Sequence, residues 1–542
     1  MPEGKRRWGT LDPFYEPGPV LGRTVANVRF LDTLLRADPL DEYCFFLGDQ
    51  GIGGALREHL SKTAPALIDA GRIRILDRRD LPGVLSRERF HCFHLSDCIV
   101  SQPALARLRN RYAPEIFPIT GIIHSLSYAN YGGPFLRQLW PGATARDAIV
   151  CTSSAGSEAV ERFFAWLREG YGLAEDRFSA PTLARIPLAV DTEQMAPNPE
   201  RPEGGPVRLL VFGRLSHHSK MDLLPLLRAL HRLAADGLDP SSVELVLAGW
   251  ADERDDYLPM LKGLAANAAI PLTVHARPTE AEKIELFRSA DIFISIADNP
   301  QETFGITVVE AGAFGLPSVV SDYDGYRDIV VHGETGMLVP TIGAPDTPDA
   351  DLLAPLLFDN QYHLLLAQRT AVEIPALAEA LGALIRSPEL RRTMGGAARQ
   401  RVCSHFSWSG VIRQYLELWD RLWETPVDPE ALRAVDHPQS MPYGRLFGHY
   451  PTRLLAPGTM LRTGRTGEAF YREKDFPTLY AGMGWTIQPE TARKLAFLAR
   501  KAVDSGTLMR KLVGLEPHLD EAMAENHVLW ALKHDILEIV KE

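Results

Sequence analysis

Residues 299–322 read NPQETFGITVVEAGAFGLPSVVSD, and this stretch decides how the chain is interpreted. Its second half is a helical run that starts near Ile306 or Thr307, followed by a short buried strand, PSVVSD (317–322). Another apolar run, DIFISIAD (291–298), precedes it. Strand, loop, helix, strand is a β-α-β unit, the building block of a parallel sheet covered by helices. A helix that opens just after a strand presents free backbone N–H groups and the positive end of its dipole, a natural seat for phosphate. Gly305 at that opening lacks a Cβ and lets a phosphate or sugar approach the main chain. Two carboxylates flank the seat: Glu302 just before the helix and Glu310 one turn inside it. A carboxylate can accept two hydrogen bonds at once, which suits the two hydroxyls of a ribose. The plainer alternative makes Glu302 a first-turn capping acid and Glu310 a solvated helix residue.

Outward from this unit the same alternation continues on both sides. VRLLVFGRL (207–215), VELVLAGW (243–250), LTVHAR (272–277), DIFISIAD and PSVVSD alternate with helical segments at 221–235, 253–267, 279–289 and 307–315. An earlier series, EYCFFLG (42–48), DCIVS (97–101), FPITGIIHS (117–125) and DAIVCTS (147–153), alternates with helices at 22–36 and 154–169. Short apolar runs of this kind read as buried parallel strands. Between the two series, RIPLAVDTEQMAPNPERPEGGPVR is rich in Pro, Glu and Gly and reads as a linker. Two doubly wound α/β domains follow, with ligands expected at the carboxyl ends of the strands and hence in the cleft between them. The expected division is 1–198, then 199–405 with a surface insertion at about 344–376, then an amphipathic helix at 406–424. Residues 425–542 form a small α+β extension of short strands and helices (490–503, 505–513, 524–540), suited to a winged-helix-like or peptide-clasping module.

A second constellation, VFGRLSHHSKMD (211–222), closes the first strand of the second domain. Gly213 ends that strand, and Arg214 and Lys220 bracket a tight loop at the sheet's carboxyl edge. Two cations there can neutralise a diphosphate leaving group; the plainer reading is a pair of surface cations. His217 and His218 are adjacent, with no acidic partner at metal-ligand spacing, so no metal site is expected.

The bulk composition agrees with an ordinary globular protein. The 542 residues carry 58 Lys and Arg against 69 Asp and Glu, a net charge of −11 that disfavours a nucleic-acid partner. Five scattered cysteines contain no C-x-x-C pair, and no apolar run is long enough to span a bilayer. Reduced thiols and the lack of an apolar segment behind the basic N-terminal residues point to a cytoplasmic protein. Peripheral membrane contact stays open.

The combination resembles glycosyltransferase family 4, retaining enzymes of the GT-B fold. The resemblance rests on E-x7-E in ETFGITVVE (302–310), on Gly213-Arg214-Leu215 with Lys220, on RIPLAVDTEQMAP (185–197), on VHGETGMLVP (331–340) and on HFSWSGVIRQYLELW, over roughly residues 10–424. It implies a GT-B architecture: two facing Rossmann-like domains with an interdomain cleft. It implies a hexosyltransferase that moves a sugar from a UDP- or GDP-sugar to an acceptor hydroxyl, with no cofactor and no metal. The acceptor is left open: glycan, lipid, small molecule or peptide. By the same resemblance, Arg214 and Lys220 bind the diphosphate, and the backbone at Phe304, Gly305 and Ile306 helps hold it. Glu302 contacts sugar hydroxyls, Glu310 the ribose, and His124 lies close to the transferred sugar. Arg277 stands near the base, while Gly18 and Gly22 occupy the place of the family's glycine-rich loop without its adjacent glycine pair. No enzymatic nucleophile presents itself, which suits front-face displacement through an oxocarbenium-like transition state. Asp322 and Asp324 in SDYDG read as loop residues. The competing readings are an inactive sugar-nucleotide-binding scaffold and another GT-B enzyme, such as a sugar-nucleotide epimerase.

Overall fold

The computed structural model describes residues 4–15, 22–198, 204–251, 256–357, 360–480, 483–484 and 486–540. Contacts divide the chain into two compact units, Met1–Gln439 and Ser440–Glu542. The first unit is built on two parallel sheets. One contains β1 (Arg7–Thr10), β2 (Glu42–Leu47), β3 (Ile73–Asp77), β4 (Cys92–Leu95), β5 (Ile119–Ile122), β6 (Asp147–Cys151) and β7 (Thr182–Arg185), in the order β3-β2-β1-β4-β5-β6-β7. The other contains β8 (Val207–Phe212), β9 (Val243–Gly249), β10 (Leu272–Ala276), β11 (Ile292–Ser295), β12 (Ser318–Ser321) and β13 (Gly336–Val339), in the order β10-β9-β8-β11-β12-β13. Strand order reverses between β1 and β4 in the first sheet and between β8 and β11 in the second. At such a reversal the helices on either side leave to opposite faces, and the gap between them is where ligands enter.

Helices important to the site are α1 (Gly22–Ala37), α2 (Glu280–Ser289), α3 (Ile306–Ala313), α4 (Tyr326–Ile329), α5 (Asn360–Ala367) and α6 (Trp408–Glu424). α6 follows the second sheet in sequence but packs on the first. Its face Val411, Ile412, Tyr415, Leu418, Trp419 and Leu422 joins the core that also holds Phe30, Leu31 and Leu34 of α1. The spacing of three and four residues is what lets one stripe of a helix be buried. Trp419 Nε1 donates to Thr120 Oγ1 at 3.0 Å and Trp423 Nε1 to the His91 carbonyl at 2.6 Å, which fixes the rotation of the helix.

Four strands of the first sheet, β1, β3, β4 and β7, escape sequence reading, and one expected strand is absent. β1, RWGT, offers a single large apolar residue, yet it is central, with Trp8 fully buried. Gly9 is required there, because a Cβ would sit 2.4 Å from Cζ of the Phe93 ring on neighbouring β4. β3 and β7 are edge strands, each without a fully apolar run. DCIVS (97–101) is a turn rather than a strand: Cys98 and Ile99 are buried under a neighbouring helix while Val100 faces solvent. Its apolar run reports burial, not extension, and the real strand lies just upstream.

The expected insertion is a closed excursion. β14 (Thr341–Gly343) and β15 (Thr370–Val372) pair antiparallel at its base, and α5 lies within it. The division placed at 424/425 falls short of the contact boundary. Asp436 pairs with Arg107 at 2.9 Å, Arg433 donates to the Asn110 carbonyl, and the His437 ring donates to the Arg137 carbonyl. Residues up to Gln439 therefore belong to the first unit, and the composition change precedes the structural one.

The second unit has its own core around Leu461, Leu495, Leu508, Leu512, Val528 and Ile536. β16 (Met460–Thr463) lies between β17 (Val503–Asp504) and β18 (Leu537–Ile539), antiparallel to both. Helices separate these strands in sequence, so among the described residues there is no hairpin to serve as a wing. The expected helix 524–540 ends at Lys533 and gives way to β18, and the one expected over 490–503 ends at Leu498.

Candidate active site

The reversal point of the second sheet brings together loops that lie about eighty residues apart in sequence. One follows β8 (213–222), the other follows β11 (296–305). Lys220 Nζ forms an ion pair with Glu302 Oε2; the two side chains are 15% and 12% exposed. Gly213, at φ 153°, takes a backbone conformation that L side chains rarely adopt; a Cβ there would make only ordinary contact with Lys220 Cε, at 3.7 Å. Two further bonds lace the loops: Asn299 Nδ2 donates to the His218 carbonyl at 3.2 Å, and the Asp222 amide to Asp298 Oδ1 at 3.3 Å. Arg214 opens to solvent beside this pair. Desolvation lowers its pKa, against the opposing charges of Glu302 and the Tyr128 phenol.

Glu302 shows how the charges balance. Burial alone would raise its carboxyl pKa. The Lys220 charge and hydrogen bond, the Phe304 amide and the Tyr326 hydroxyl overcome burial and hold it below the ordinary value. The Tyr326 hydroxyl donates to Glu302 Oε2 at 3.2 Å and is itself bonded to Ser295 Oγ at 2.6 Å. Two nearby acids go the other way. Burial and the Glu302 charge push Asp324 up to about 8, and burial and the Asp222 charge push Asp298 up to about 7. Asp324 is a loop residue, as expected, but its charge state is tied to Glu302. Like charges crowded in a desolvated wall cannot all ionise near neutral pH.

α3 begins at Ile306, capped by Gly305 at φ 105°. The Gly305 and Ile306 N–H groups have no protein acceptor among the described residues. One expectation is corrected here. A Cβ on Gly305 would not enter the cleft; it would lie 2.3 Å from Cε1 of Tyr326. Glycine is needed for the positive φ and for the seat of the tyrosine that steadies Glu302. Phe304 is buried in the core against Phe406. Glu310 is 7% exposed, not solvated, and Lys283 Nζ of α2 donates to its Oε1 at 2.6 Å. Burial raises its pKa, the Lys283 cation opposes that, and Arg29 of α1 adds positive potential from the other domain. Capping holds in part for Glu302, whose Oε1 accepts from the Thr303 and Phe304 amides at 3.3 and 3.5 Å.

The first domain meets these loops with serines at the ends of β5 and β6. Ser125 Oγ donates to the Gln301 carbonyl at 3.1 Å and Ser153 Oγ to the Thr303 carbonyl at 2.6 Å. His124, next to Ser125, donates from Nε2 to the Ser96 carbonyl at 3.0 Å. Arg277 ends the edge strand β10, exposed and at φ 54°, two strands away from β8. Gly22 opens α1, while Gly18 lies outside the described residues. The His217 ring packs on Tyr257 at 4.6 Å. Among the described residues no three His, Cys, Asp or Glu side chains are grouped to hold a metal ion.

Residues 193–347 match the family described as Glycosyl transferases group 1. Over 331 residues the chain is 25% identical to glycogen synthase of Mycobacterium tuberculosis, covering 59% of this chain and 66% of that protein. It is 29% identical over 238 residues to phosphatidyl-myo-inositol mannosyltransferase of the same organism, covering 43% of this chain and 53% of that one. The fold matches a glycosyltransferase from Rickettsia africae with a TM-score of 0.51 at 16% identity, over 78% of this chain and all of that one. It matches Anabaena HepE, solved in complex with UDP, with a TM-score of 0.50 at 14% identity, over 77% of this chain and all of that one.

The chain has a GT-B fold, and residues 193–347 of it resemble the group 1 glycosyltransferases.

The matched stretch holds Gly213, Arg214, Lys220, Arg277, Lys283, Glu302 and Glu310, while His124 and the serines come from the facing domain. Sequence reading of the domain missed Lys283, Asp298, Asn299 and Tyr326. Asp298-Asn299 after a strand was the one visible signal, because such residues stitch loops with their short polar side chains. Lys283 and Tyr326 gave none, since each reaches its glutamate only through the fold.

Proposed function

We propose that the protein is a retaining, metal-independent, cytoplasmic glycosyltransferase that moves a hexosyl group from a nucleoside-diphosphate sugar to an acceptor hydroxyl. The observation that carries this reading is the meeting of Arg214, Lys220, Glu302 and the open N-terminus of α3 at the strand-order reversal of the second sheet. In it, Arg214 and Lys220 hold the donor diphosphate with the amides of Gly305 and Ile306, next to Phe304. Charge that builds on the departing phosphate is met by groups already in place, so little reorganisation is needed. Glu302 exchanges its bond to Lys220 for sugar hydroxyls as the lysine turns to phosphate. Glu310, kept near the cleft by Lys283, takes the ribose. His124 faces the transferred sugar, Arg277 the base, and Gly213 and Gly22 keep the chain close to phosphate. The two cations and the amides supply the electrophilic assistance that a metal would otherwise give.

UDP- and GDP-sugars are the donor classes. HepE was solved with UDP, and the mycobacterial relatives are named as a glycogen synthase and a mannosyltransferase, which supports a sugar donor without choosing the base. The test is a thermal-shift screen over nucleotide sugars, followed by a transfer assay on whichever donor binds. A donor that binds the folded state at a hundred times its Kd stabilises it by about 2.7 kcal/mol. No shift with any UDP- or GDP-sugar overturns the proposal.

A further inference from the structure

The excursion between β14 and β15 delivers one buried side chain to the seam of the two domains. His363, on α5, is 1% exposed. Both of its ring nitrogens are engaged, and by different domains. Gln301 Nε2 lies 3.0 Å from His363 Nδ1, and Ser127 Oγ lies 2.9 Å from Nε2. An amide nitrogen can only donate, so Nδ1 accepts and Nε2 carries the hydrogen, which it donates to the serine. The Tyr128 ring stands edge-on to the imidazole at 6.1 Å. Gln301 is the neighbour of Glu302, and its own amide and carbonyl are taken by Asn299 Oδ1 and Ser125 Oγ. The segment that carries His363 is itself braced: Arg369 at its end grips Asp349 through both terminal guanidinium nitrogens. The group 1 match ends at residue 347, so His363 is supplied from outside it.

We propose that His363 is a positioning residue: it fixes Gln301, and through it the Glu302 loop, against the 125–128 turn of the first domain, and residues 344–369 exist to deliver it. A loop that must present Glu302 to a sugar gains from having its neighbour's side chain fixed, since small errors in placement cost rate heavily. The proposal rests on the glycosyltransferase reading for its kinetic consequence but not for its structural one. A buried imidazole that bonds two domains restrains both segments whatever the site binds.

The experiment compares the full-length protein with His363→Ala, His363→Asn and His363→Gln. Peptides covering 299–304 and 124–131 are followed by amide hydrogen exchange, and kcat and donor KM are measured separately. His363→Ala is expected to speed exchange in both peptides at least tenfold while peptides of residues 489–533 stay unchanged. It should lower kcat at least tenfold with donor KM within threefold. Asparagine can place an oxygen where Nδ1 accepts from Gln301, so it should restore kcat better than glutamine, which can replace only the donor to Ser127. Gln301→Ala guards against an unfolded alanine variant: it should reproduce the loss, and the double variant should lose no more than either single one. Unchanged exchange in His363→Ala, additive losses in the double variant, or better rescue by glutamine would overturn the proposal. If no nucleotide sugar binds the wild-type protein, the functional reading fails and the exchange data alone decide this one.

Discussion

Lys220→Ala separates what the Lys220–Glu302 pair does for stability from what it does for chemistry. Breaking a buried ion pair by removing one partner costs about 3–5 kcal/mol, because the other charge stays desolvated. Here the Tyr326 hydroxyl and the Thr303 and Phe304 amides remain on the carboxylate, so the expected loss is smaller, ~2–3 kcal/mol. Removing both charges in Lys220→Met/Glu302→Gln should recover most of it, with a coupling energy of ~2 kcal/mol. Activity should behave differently. Loss of a cation from a developing diphosphate charge costs ~10²–10³ in kcat/KM, about 3–4 kcal/mol, and the double variant regains none of it. The pH dependence supplies a second signature. In the wild type the Glu302 pKa is lowered, so its contribution is present above the unfolded carboxyl pKa and is lost as pH falls through the folded value. Without Lys220 the largest remaining influence is burial, which raises the pKa. The contribution is then present below the unfolded value, about 4.3, and is lost as pH rises through the new folded one. Urea midpoints for the wild type and the variant at about pH 5 and about pH 8 test this through the linear dependence of stability on denaturant. Equal losses at both pH values, or an active double variant, would refute the reasoning.

Other consequences are as direct. Gly305→Ala places a Cβ 2.3 Å from the Tyr326 ring at a φ of 105°, and should destabilise by ~2–4 kcal/mol in thermal unfolding while also raising the Glu302 pKa. Glu310→Gln leaves the Lys283 ammonium with only the more distant Glu280 carboxylate, at 3.7 Å, and removes the proposed ribose carboxylate. Donor KM should rise about tenfold with kcat nearly unchanged, the pattern of lost uniform binding. Asp324, pushed up to about 8, is neutral at pH 7 and ionises above that, adding negative charge beside Glu302 and the diphosphate. Activity should therefore fall as pH rises past about 8, and Asp324→Asn should flatten that limb of the pH–rate profile. Its stability term has the sign of a raised acid pKa: present below the unfolded value and lost as pH rises through about 8.

By itself the sequence determined the class of fold and offered most of the residues proposed for the site. Apolar runs such as VELVLAG and EYCFFL must be buried on both faces, and the helices between them leave a parallel sheet as the natural outcome. Gly213-Arg214, Lys220, Glu302, Gly305 and Glu310 were visible because loops at strand ends and a helix start carry their chemistry locally. That the 213–222 and 296–305 loops lie at the same edge of the sheet followed from the doubly wound pattern, since both leave the carboxyl end of a strand. Tertiary structure decided the rest. Which strands are neighbours made Lys220 meet Glu302, and Lys283, Tyr326, Ser125, Ser153 and His363 became visible only when distant segments packed. β1 was hidden for the same reason: RWGT is an interior strand through its pairing with β2 and β4, and the Phe93 ring fills the space that Gly9 leaves. Local propensity records what a segment can do in isolation, whereas partners far apart in sequence are chosen by the order in which strands join the sheet.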